Sequence, residues 1–526
     1  METKKKRASS LSAALLLAGA LALSACSSGN QTVNSTGNTG ASDSPEGNQP
    51  TAAATLELNW MLSPGSAVEN SAAEKYLEDK FNVVINSTIA ESSDFAQKQQ
   101  VLFSSGSVPD VFFVLDPNTL KKYADQGLVA ELPMETIEQF APKTKTALDT
   151  TAKQGWFYSL SNGKNYGLPT LYPGRYTPPV AWRTDLLEKA GITQIPQTID
   201  EMTSAFAAVK KLGIYGMSSN GSSYYSAFQK IFGAYGVMPT QWMNKDGKIV
   251  NGAVQPEAKA ALTLLADWYK KGYIDPEFVT GKDLSTKFID GKFVFNENAS
   301  IVDINESDPN SALAAIKKLD PNGKVEFAPL PKGPDGKQGG WAWGTAGNIW
   351  AFGKQLEDQP EKLQKALEII DAVNNDEELY TRLAYGEKGK HWDYTNGTDL
   401  QEGIKQLPPY DDNAQLWAEG INGSGHTFFG GTPNLDLFYS YDGEKRTELS
   451  NTFGMPAVSD IFGKSDILPS SGKYWADLMK LKTEAYALII RGDKPVSYFD
   501  EFVQEWNKLG GEQLEKEANE FYNSVN

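Results

Sequence analysis

The amino-acid sequence predicts an α/β protein of two lobes joined by extended segments. Two observations lead to this fold class. Strand-like and helix-like patterns alternate at the start of the globular part, which is typical of a parallel sheet with helical crossovers. Two stretches rich in Gly and Pro, residues 163–182 and 325–353, separate this region from a second α/β region, and we call them the first and second crossings. Extended segments between two lobes make a hinge, and the cleft between the lobes is the expected ligand site.

Three predicted strands begin the first lobe, at residues 55–60, 81–86 and 109–116. The first alternates apolar and polar residues, whereas the third, "PDVFFVLD", is almost wholly apolar, as in a strand covered on both faces. Helical patterns over about 66–80 and 94–104 lie between the strands. Because ligands bind beyond the carboxyl ends of parallel strands, Trp60 and Asp116, at two such ends, are candidate ligand residues.

Amphipathic helices are predicted in the second region and at the chain end. Residues 256–272 repeat apolar side chains at helical spacing and end at Gly272. The last 50 residues are expected to form two helices, one of them over 499–509 and capped by Gly510.

The predicted organisation assigns each lobe two stretches of chain. The first lobe takes residues 55–170 and about 331–385, and the second takes 171–330 and about 386–526.

The first 54 residues indicate export and anchoring. Residues 1–25 have a basic start followed by a short apolar run, the pattern of a secretory signal peptide. The run ends "LSAC", which resembles the lipobox of bacterial lipoproteins, so Cys26 is predicted to carry a lipid and to become the new N-terminus. Residues 26–54 are rich in Ser, Gly, Asn and Thr and are predicted to be a disordered tether.

Charge and composition exclude several classes of function. The net charge is −17, and it becomes −20 without residues 1–25, which hold four basic and one acidic side chains. So acidic a body repels nucleic acid, and no nucleic-acid partner is expected. Cys26 is the only cysteine, so no intrachain disulfide can form. His391 and His426 lie in no recognisable motif, so neither a metal, a cofactor nor catalysis is predicted.

Several segments, in this order and spacing, resemble the extracellular solute-binding proteins of family 1, and within them the large lipoproteins of Gram-positive bacteria. The segments are "LFSSGSVPDVFFV" (102–114), "NGKNYGLPT" (162–170), "WRTDLLEKAGI" with "PQTIDEM" (182–202), "DGKIVNGAVQPEAKAALTLLADWYKKGYIDPEF" (246–278), "YGEKGKHWDY" (385–394) and "LIIRGDKPVSYFDEFVQEWNKLGG" (488–511).

The resemblance implies a two-lobed fold like that of periplasmic binding proteins, type II, with hinge-linked α/β lobes and the ligand cleft between them. It implies that the protein captures an oligosaccharide or sugar derivative by lobe closure and delivers it to the permease subunits of an ABC importer. It implies a monomer without catalytic activity, lipid-anchored at the extracellular face of the cell membrane. Some relatives carry a calcium loop, but residues 207–219 lack the required run of oxygen ligands, so no calcium is expected there.

Aromatic side chains are the expected sugar contacts, because their flat faces suit sugar rings and their polar atoms suit hydroxyls. The crossings and loops contribute the candidates Tyr172, Arg175, Tyr176, Tyr224, Tyr225, Trp341, Trp343, Trp392 and Trp475, in addition to the two strand-end residues. Trp341 and Trp343 lie two residues apart, which puts them on the same side of an extended segment. Arg175 could also hold the carboxylate of a uronic acid as a planar fork.

Two other functions are compatible with the sequence. A receptor for a peptide or other non-sugar solute, or a purely sensory partner, would use the same fold with different cleft groups. A surface glycoside hydrolase needs two carboxylates flanking a sugar bond, and the 66 acidic residues of the chain offer many such pairs. The sequence shows no pattern of eight strand–helix units, which disfavours a hydrolase barrel.

Overall fold

The structure is a computed structural model that describes residues 55–63, 68–91, 93–223, 225 and 227–525. The predicted signal peptide, the lipidated Cys26 and the tether lie outside the described residues, as does the candidate Tyr224.

Five strands form the first sheet, in the spatial order Val83–Thr88, Leu56–Met61, Val111–Val114, Gly344–Phe352 and Gly167–Gly174. The first three are parallel, as the alternating pattern predicted. Gly344–Phe352 comes from the second crossing and runs antiparallel to both of its neighbours. All four residues of Val111–Val114 are buried, which explains why this strand is apolar on both faces.

Four strands form the second sheet, in the order Glu326–Ala328, Val180–Trp182, Phe293–Asn296 and Tyr215–Met217. Val180–Trp182 is antiparallel to both of its neighbours, whereas Phe293–Asn296 and Tyr215–Met217 are parallel. The chain therefore builds two separate α/β regions, as expected for two lobes.

Short strand pairs complete the described β-structure: Leu160–Ser161 with Lys164–Asn165, Trp242–Lys245 with Lys248–Asn251, Gly340–Trp341 with Ala457–Val458, and Trp392–Tyr394 with Ile404–Gln406.

The helices follow in chain order. They span Ala72–Phe81, Phe95–Ser104, Pro117–Asp125, Met134–Phe140, Pro142–Thr151, Trp156–Ser159, Thr184–Lys189, Ile199–Lys210, Gln229–Ala234, Pro256–Lys270, Leu284–Ile289, Ala312–Leu319, Pro360–Asn375, Glu377–Ala384, Asn413–Ala418, Leu435–Asp442, Glu444–Phe453, Ser471–Arg491, Tyr498–Trp506 and Glu512–Val525. Within the described part of the chain, none of them has the length and apolar character needed to span a bilayer.

Local sequence sets the ends of these helices. Pro256–Lys270 starts with proline at its first position and is followed by Gly272, whose φ of +72° is the left-handed conformation that suits a helix end. The predicted helix over 499–509 is confirmed as Tyr498–Trp506, but the last 50 residues hold all or part of three α-helices, not the two expected: Ser471–Arg491, Tyr498–Trp506 and Glu512–Val525. Gly510, with φ of +131°, then marks the kink before the last helix.

Three stretches of chain connect the regions of the two sheets: residues 175–179, 329–343 and 454–470. They run beside one another. The Thr177 N–H donates to the Gly454 carbonyl at 3.1 Å, and Gly340–Trp341 pairs in parallel with Ala457–Val458. The two crossings predicted from Gly and Pro content are thus joined by a third, formed by the returning chain.

Residues 386–453 form hydrogen bonds with the first sheet and with the loop that follows its strand Leu56–Met61. The Ser63 N–H donates to the Phe428 carbonyl at 3.2 Å, and the Trp350 indole N–H donates to the Gly430 carbonyl at 3.1 Å. This stretch therefore covers the end of the first sheet. Its partners in these hydrogen bonds lie far away in sequence, so local patterns do not reveal the contacts.

Candidate ligand-binding site

Three aromatic side chains form a cluster where the second crossing meets the second lobe. The ring centroids of Trp341 and Trp343 are 4.6 Å apart, and Tyr225 lies 5.3 Å from Trp341 and 5.1 Å from Trp343. Trp343 remains 50% exposed, although large aromatic side chains are usually buried. We refer to Tyr225, Trp341 and Trp343 as the aromatic cluster.

Gly174 lets the first crossing approach this cluster closely. A Cβ atom at Gly174 would lie 2.7 Å from Cδ1 of Tyr172 and 2.8 Å from Cβ of Trp343, so any larger residue would collide with both. Tyr172 is also 39% exposed. The structure therefore brings Tyr172, which was predicted from the first crossing, next to the aromatic cluster.

Backbone and amide groups hold Trp341 in place. Its N–H donates to Oε1 of Gln229 at 2.7 Å, and the amide nitrogen of Gln229 donates to Oδ1 of Asn298. Gln229 begins the helix Gln229–Ala234, and Asn298 follows the strand Phe293–Asn296. The position of Trp341 thus depends on two elements of the second lobe.

Arg175 lies in the first crossing between two tyrosine rings. Its guanidinium carbon is 4.1 Å from the ring centroid of Tyr439 and 4.9 Å from that of Tyr176, distances that allow cation–π attraction. The Tyr176 hydroxyl donates to Oδ1 of Asn451 at 2.6 Å. Burial raises the pKa of Tyr439 to about 12 although the charge of Arg175 opposes this shift, so Tyr439 stays neutral and is a suitable stacking partner.

The buried Nε of Arg175 has no hydrogen-bond partner among the described residues. An unsatisfied guanidinium donor is costly, and a carboxylate is its best acceptor. A planar guanidinium can bind the carboxylate of an acidic ligand.

Asp460 and Lys464 connect the third connecting stretch, residues 454–470, to other parts of the chain by hydrogen bonds. The Asp460 carboxylate accepts from the Trp242 N–H at 2.7 Å, and burial raises its pKa to about 6. The Lys464 ammonium donates to the Leu115 carbonyl at 3.2 Å and to Oδ1 of Asn348 at 2.9 Å, and burial lowers its pKa. Residues 454–470 are therefore bonded to the strand Trp242–Lys245 through Asp460 and to the first sheet and its adjoining loop through Lys464.

The two strand-end candidates do not join the aromatic cluster. Trp60 is fully buried and packs edge-on against Trp350 and Phe429, so it belongs to the core rather than to a surface that a ligand could reach. The Asp116 carboxylate caps a helix, accepting from the Thr119 N–H at 2.9 Å and from the Thr119 hydroxyl at 2.5 Å. Both carboxylate oxygens of Asp116 are thus occupied locally.

Trp392 and Trp475 also lie apart from the cluster. Trp392 is 4% exposed and donates its indole N–H to the Gly386 carbonyl at 3.1 Å. Trp475 is half-buried on the helix Ser471–Arg491, where its ring centroid is 6.3 Å from that of Trp242. Among the described residues there is no group of three or more His, Cys, Asp or Glu side chains that could hold a metal ion.

The sequence analysis missed the polar residues that support the cluster, Gln229 and Asn298. One signal could have found Asn298. Asn298 follows the apolar strand "FVFN", and Asp116 follows the apolar strand "VFFV". The rule that ligands bind beyond the carboxyl ends of strands therefore applies to both residues. Gln229 offered no comparable signal, because its partner lies more than 100 residues further along the chain.

Comparisons with known proteins agree with this architecture. Residues 60–380 match the family model for bacterial extracellular solute-binding proteins, which is more than half of the chain. The polygalacturonan/rhamnogalacturonan-binding protein YtcQ of Bacillus subtilis is 25% identical over 389 residues, covering 69% of this chain and 70% of YtcQ. Lipoprotein LipO of the same organism is 24% identical over 492 residues, covering 88% of this chain and 91% of LipO.

A crystal structure of an extracellular solute-binding protein from Bifidobacterium longum subsp. infantis superposes with a TM-score of 0.63 at 16% identity, covering 90% of this chain and 99% of the other. The fold is therefore the two-lobed type II fold expected from the sequence. Together with the family match, this shows that the chain belongs to the bacterial extracellular solute-binding proteins.

Proposed function

We propose that the protein is the receptor of an ABC importer that captures an oligosaccharide by closing its lobes and delivers it to the permease. The observation that carries the proposal is the aromatic cluster, whose Trp343 is half exposed beside the crossings. Exposed, clustered ring faces are the apolar complement of a sugar ring, and peptide recognition has less need of them. The receptor acts as a monomer and binds without catalysis.

The ligand we propose is an acidic oligosaccharide that contains uronic acid. Arg175 supports this choice, because its side chain is only partly buried and its planar guanidinium can bind the carboxylate of a uronate in a bidentate way. The relative YtcQ, whose name describes binding of polygalacturonan, is consistent with the same ligand class. We propose that Tyr172, Tyr176 and the aromatic cluster provide the remaining contacts.

Thermal unfolding with a panel of saccharides tests this function. We expect trigalacturonate and longer oligogalacturonates to raise the melting temperature, and neutral xylo- and cello-oligosaccharides of equal length to raise it less. A ligand at 100 times its Kd stabilises by about 2.7 kcal/mol, which such a scan detects readily. A flat response to all saccharides but not to peptides would favour a peptide receptor, and new reducing ends on incubation would favour a hydrolase.

Arg175→Gln sharpens the test of ligand charge. We expect it to weaken oligogalacturonate binding roughly tenfold or more, the range of a lost charge-assisted hydrogen bond, and to leave binding of the methyl-esterified oligomer nearly unchanged. Isothermal titration with both ligands measures this difference, and Arg175→Lys is the control that keeps the charge but loses the planar fork. Equal losses for the acid and the ester would mean that Arg175 acts through its packing on Tyr439.

We also propose that Cys26 anchors the receptor to the extracellular face of the membrane by a lipid. The support is its place directly after the apolar run of the signal peptide. In cells, a labelled fatty acid is expected to be incorporated into the wild-type protein and into Ser28→Ala, but not into Cys26→Ser. Incorporation into Cys26→Ser would contradict a lipid anchor at this residue.

We propose that the two lobes are built on the two sheets and that the three connecting stretches are their boundaries. The first lobe then holds the five-stranded sheet with residues 386–453, and the second holds the four-stranded sheet with the C-terminal helices. Limited proteolysis with and without oligogalacturonate tests this organisation: cleavage in residues 454–470 should slow when the ligand closes the lobes, and cleavage within either sheet should not change.

A further inference from the structure

Lys230 and Glu297 are buried and lie next in sequence to Gln229 and Asn298, the residues that support Trp341. Neither is among the ligand contacts described above. Lys230 has no exposed surface, and Glu297 is 2% exposed. Burial lowers the pKa of Lys230 and raises that of Glu297, while the charge of each partner opposes the shift of the other. Ionisable groups removed from water need specific partners, so the contacts of this pair indicate its role.

Glu297 joins the two ends of the loop that carries Tyr225. Its Oε1 accepts from the Ser219 hydroxyl at 2.5 Å and from the Phe228 N–H at 2.9 Å. The Phe228 N–H also donates to the Ser219 hydroxyl at 2.9 Å, and Phe228 has a φ of +53°, an unfavourable value for a bulky side chain. The carboxylate therefore holds the strained backbone of Phe228 and keeps Ser219 and Phe228, which lie on either side of Tyr225 in the sequence, close together.

Lys230 connects the same loop to the first crossing. Its backbone N–H donates to Oε2 of Glu297 at 3.2 Å, and its ammonium donates to the hydroxyl of Thr177. Gly340 in the second crossing leaves the space for this contact. A Cβ atom at Gly340 would lie 2.4 Å from the Thr177 hydroxyl oxygen and 2.5 Å from the Lys230 ammonium nitrogen.

The neighbouring pair repeats the connection one residue away. Gln229 accepts from the N–H of Trp341 and donates to Asn298, just as Lys230 contacts Thr177 and Glu297. Gln229 and Lys230, adjacent in one helix, therefore contact Asn298 and Glu297, which follow a strand. They also contact Trp341 in the second crossing and Thr177 in the first. The first two residues of the helix Gln229–Ala234 therefore connect the second lobe to the crossings.

We propose that Glu297 and Lys230 are positioning residues for the ligand site, which couple the loop that carries Tyr225 to the crossing segments. Tyr225 meets Trp341 and Trp343 only while the loop is closed by Glu297 and while Lys230 keeps the first crossing in register. Movement of the crossings during lobe closure then changes the geometry of the aromatic cluster. The ligand part of this inference rests on the proposed saccharide function, whereas the loop part does not.

Hydrogen–deuterium exchange of the ligand-free protein tests the loop part. We expect Glu297→Ala, which removes all three acceptor contacts, to raise amide exchange in residues 219–228 at least tenfold. Glu297→Gln keeps an amide oxygen for Ser219 and Phe228 and should raise exchange less. Peptides from the first sheet, such as 83–88 and 111–114, should exchange as in the wild type, because a local anchor is lost and not the fold.

Glu188→Gln is the matched control. Glu188 is an exposed carboxylate of the same lobe that pairs with Lys324 at 2.8 Å, and its replacement should leave exchange in 219–228 unchanged. An unchanged loop in Glu297→Ala would overturn the proposal, and so would an increase spread evenly over the whole protein, which is the result of a merely structural role.

Oligogalacturonate titration tests the ligand part. We expect the affinity to fall about tenfold in Glu297→Ala and less in Glu297→Gln, following the order of the exchange rates. A loosened loop with wild-type affinity would overturn the link to ligand binding. If the wild-type protein bound no saccharide but the loop still loosened in the variant, the saccharide function would fail and the positioning of the loop by Glu297 would stand.

Discussion

Replacing Trp60 with alanine is expected to lower the free energy of unfolding by about 3–5 kcal/mol, the usual cost of deleting a large aromatic side chain from a core. Trp60 is fully buried, and its ring centroid lies 5.8 Å from that of Trp350 and 5.9 Å from that of Phe429, both in edge-on geometry. Phe429 belongs to the chain that folds back over the first sheet, so the cavity would also loosen that cover. Urea unfolding followed by circular dichroism measures the loss.

Trp60→Phe separates packing from ligand contact. It keeps a ring in the core and removes an indole N–H that has no acceptor among the described residues, so its cost should be well below that of alanine. Oligosaccharide affinity should remain at the wild-type level in Trp60→Phe. A tenfold loss of affinity with little loss of stability would contradict the core position and return Trp60 to the ligand site.

Trp60 also illustrates how far the sequence could predict the site. The alternation of apolar and polar residues is a local property, so it located the strand Leu56–Met61 to within one residue. The rule for strand ends then selected Trp60 and Asp116 as ligand candidates. The rule could not predict which side chains remain exposed to solvent. Trp60 is covered by Phe429, which lies more than 300 residues further along the chain.

The crossings were predictable for a related reason. Gly and Pro content marks extended chain, and the two-residue spacing of Trp341 and Trp343 predicted that both would lie on one side, as their 4.6 Å centroid distance confirms. Tyr225 was predicted only as a loop residue, since nothing local specifies that its loop folds onto the second crossing. That approach depends on Glu297, whose contacts with the loop span 69 to 78 residues.

Trp343→Ala is expected to weaken oligosaccharide binding by about 1–3 kcal/mol, roughly fivefold to 150-fold in Kd. Its stability should change little, because half of the side chain already faces water. Trp341 provides the contrast: its side chain is less exposed than that of Trp343, so Trp341→Ala should lose a similar amount of affinity and some stability as well.

Titration of Trp343→Ala and Trp343→Phe with the same oligogalacturonate completes this test. Phenylalanine keeps a flat face at the same place, so Trp343→Phe should bind the ligand much more tightly than Trp343→Ala. If the indole N–H of Trp343 contacts the ligand, Trp343→Phe should bind as weakly as Trp343→Ala. Unchanged affinity in Trp343→Ala would mean that the cluster is a plug at the hinge. In that case the exposed face of Trp343 would no longer support a saccharide ligand, and the proposed ligand class would rest on Arg175 and on the similarity to YtcQ.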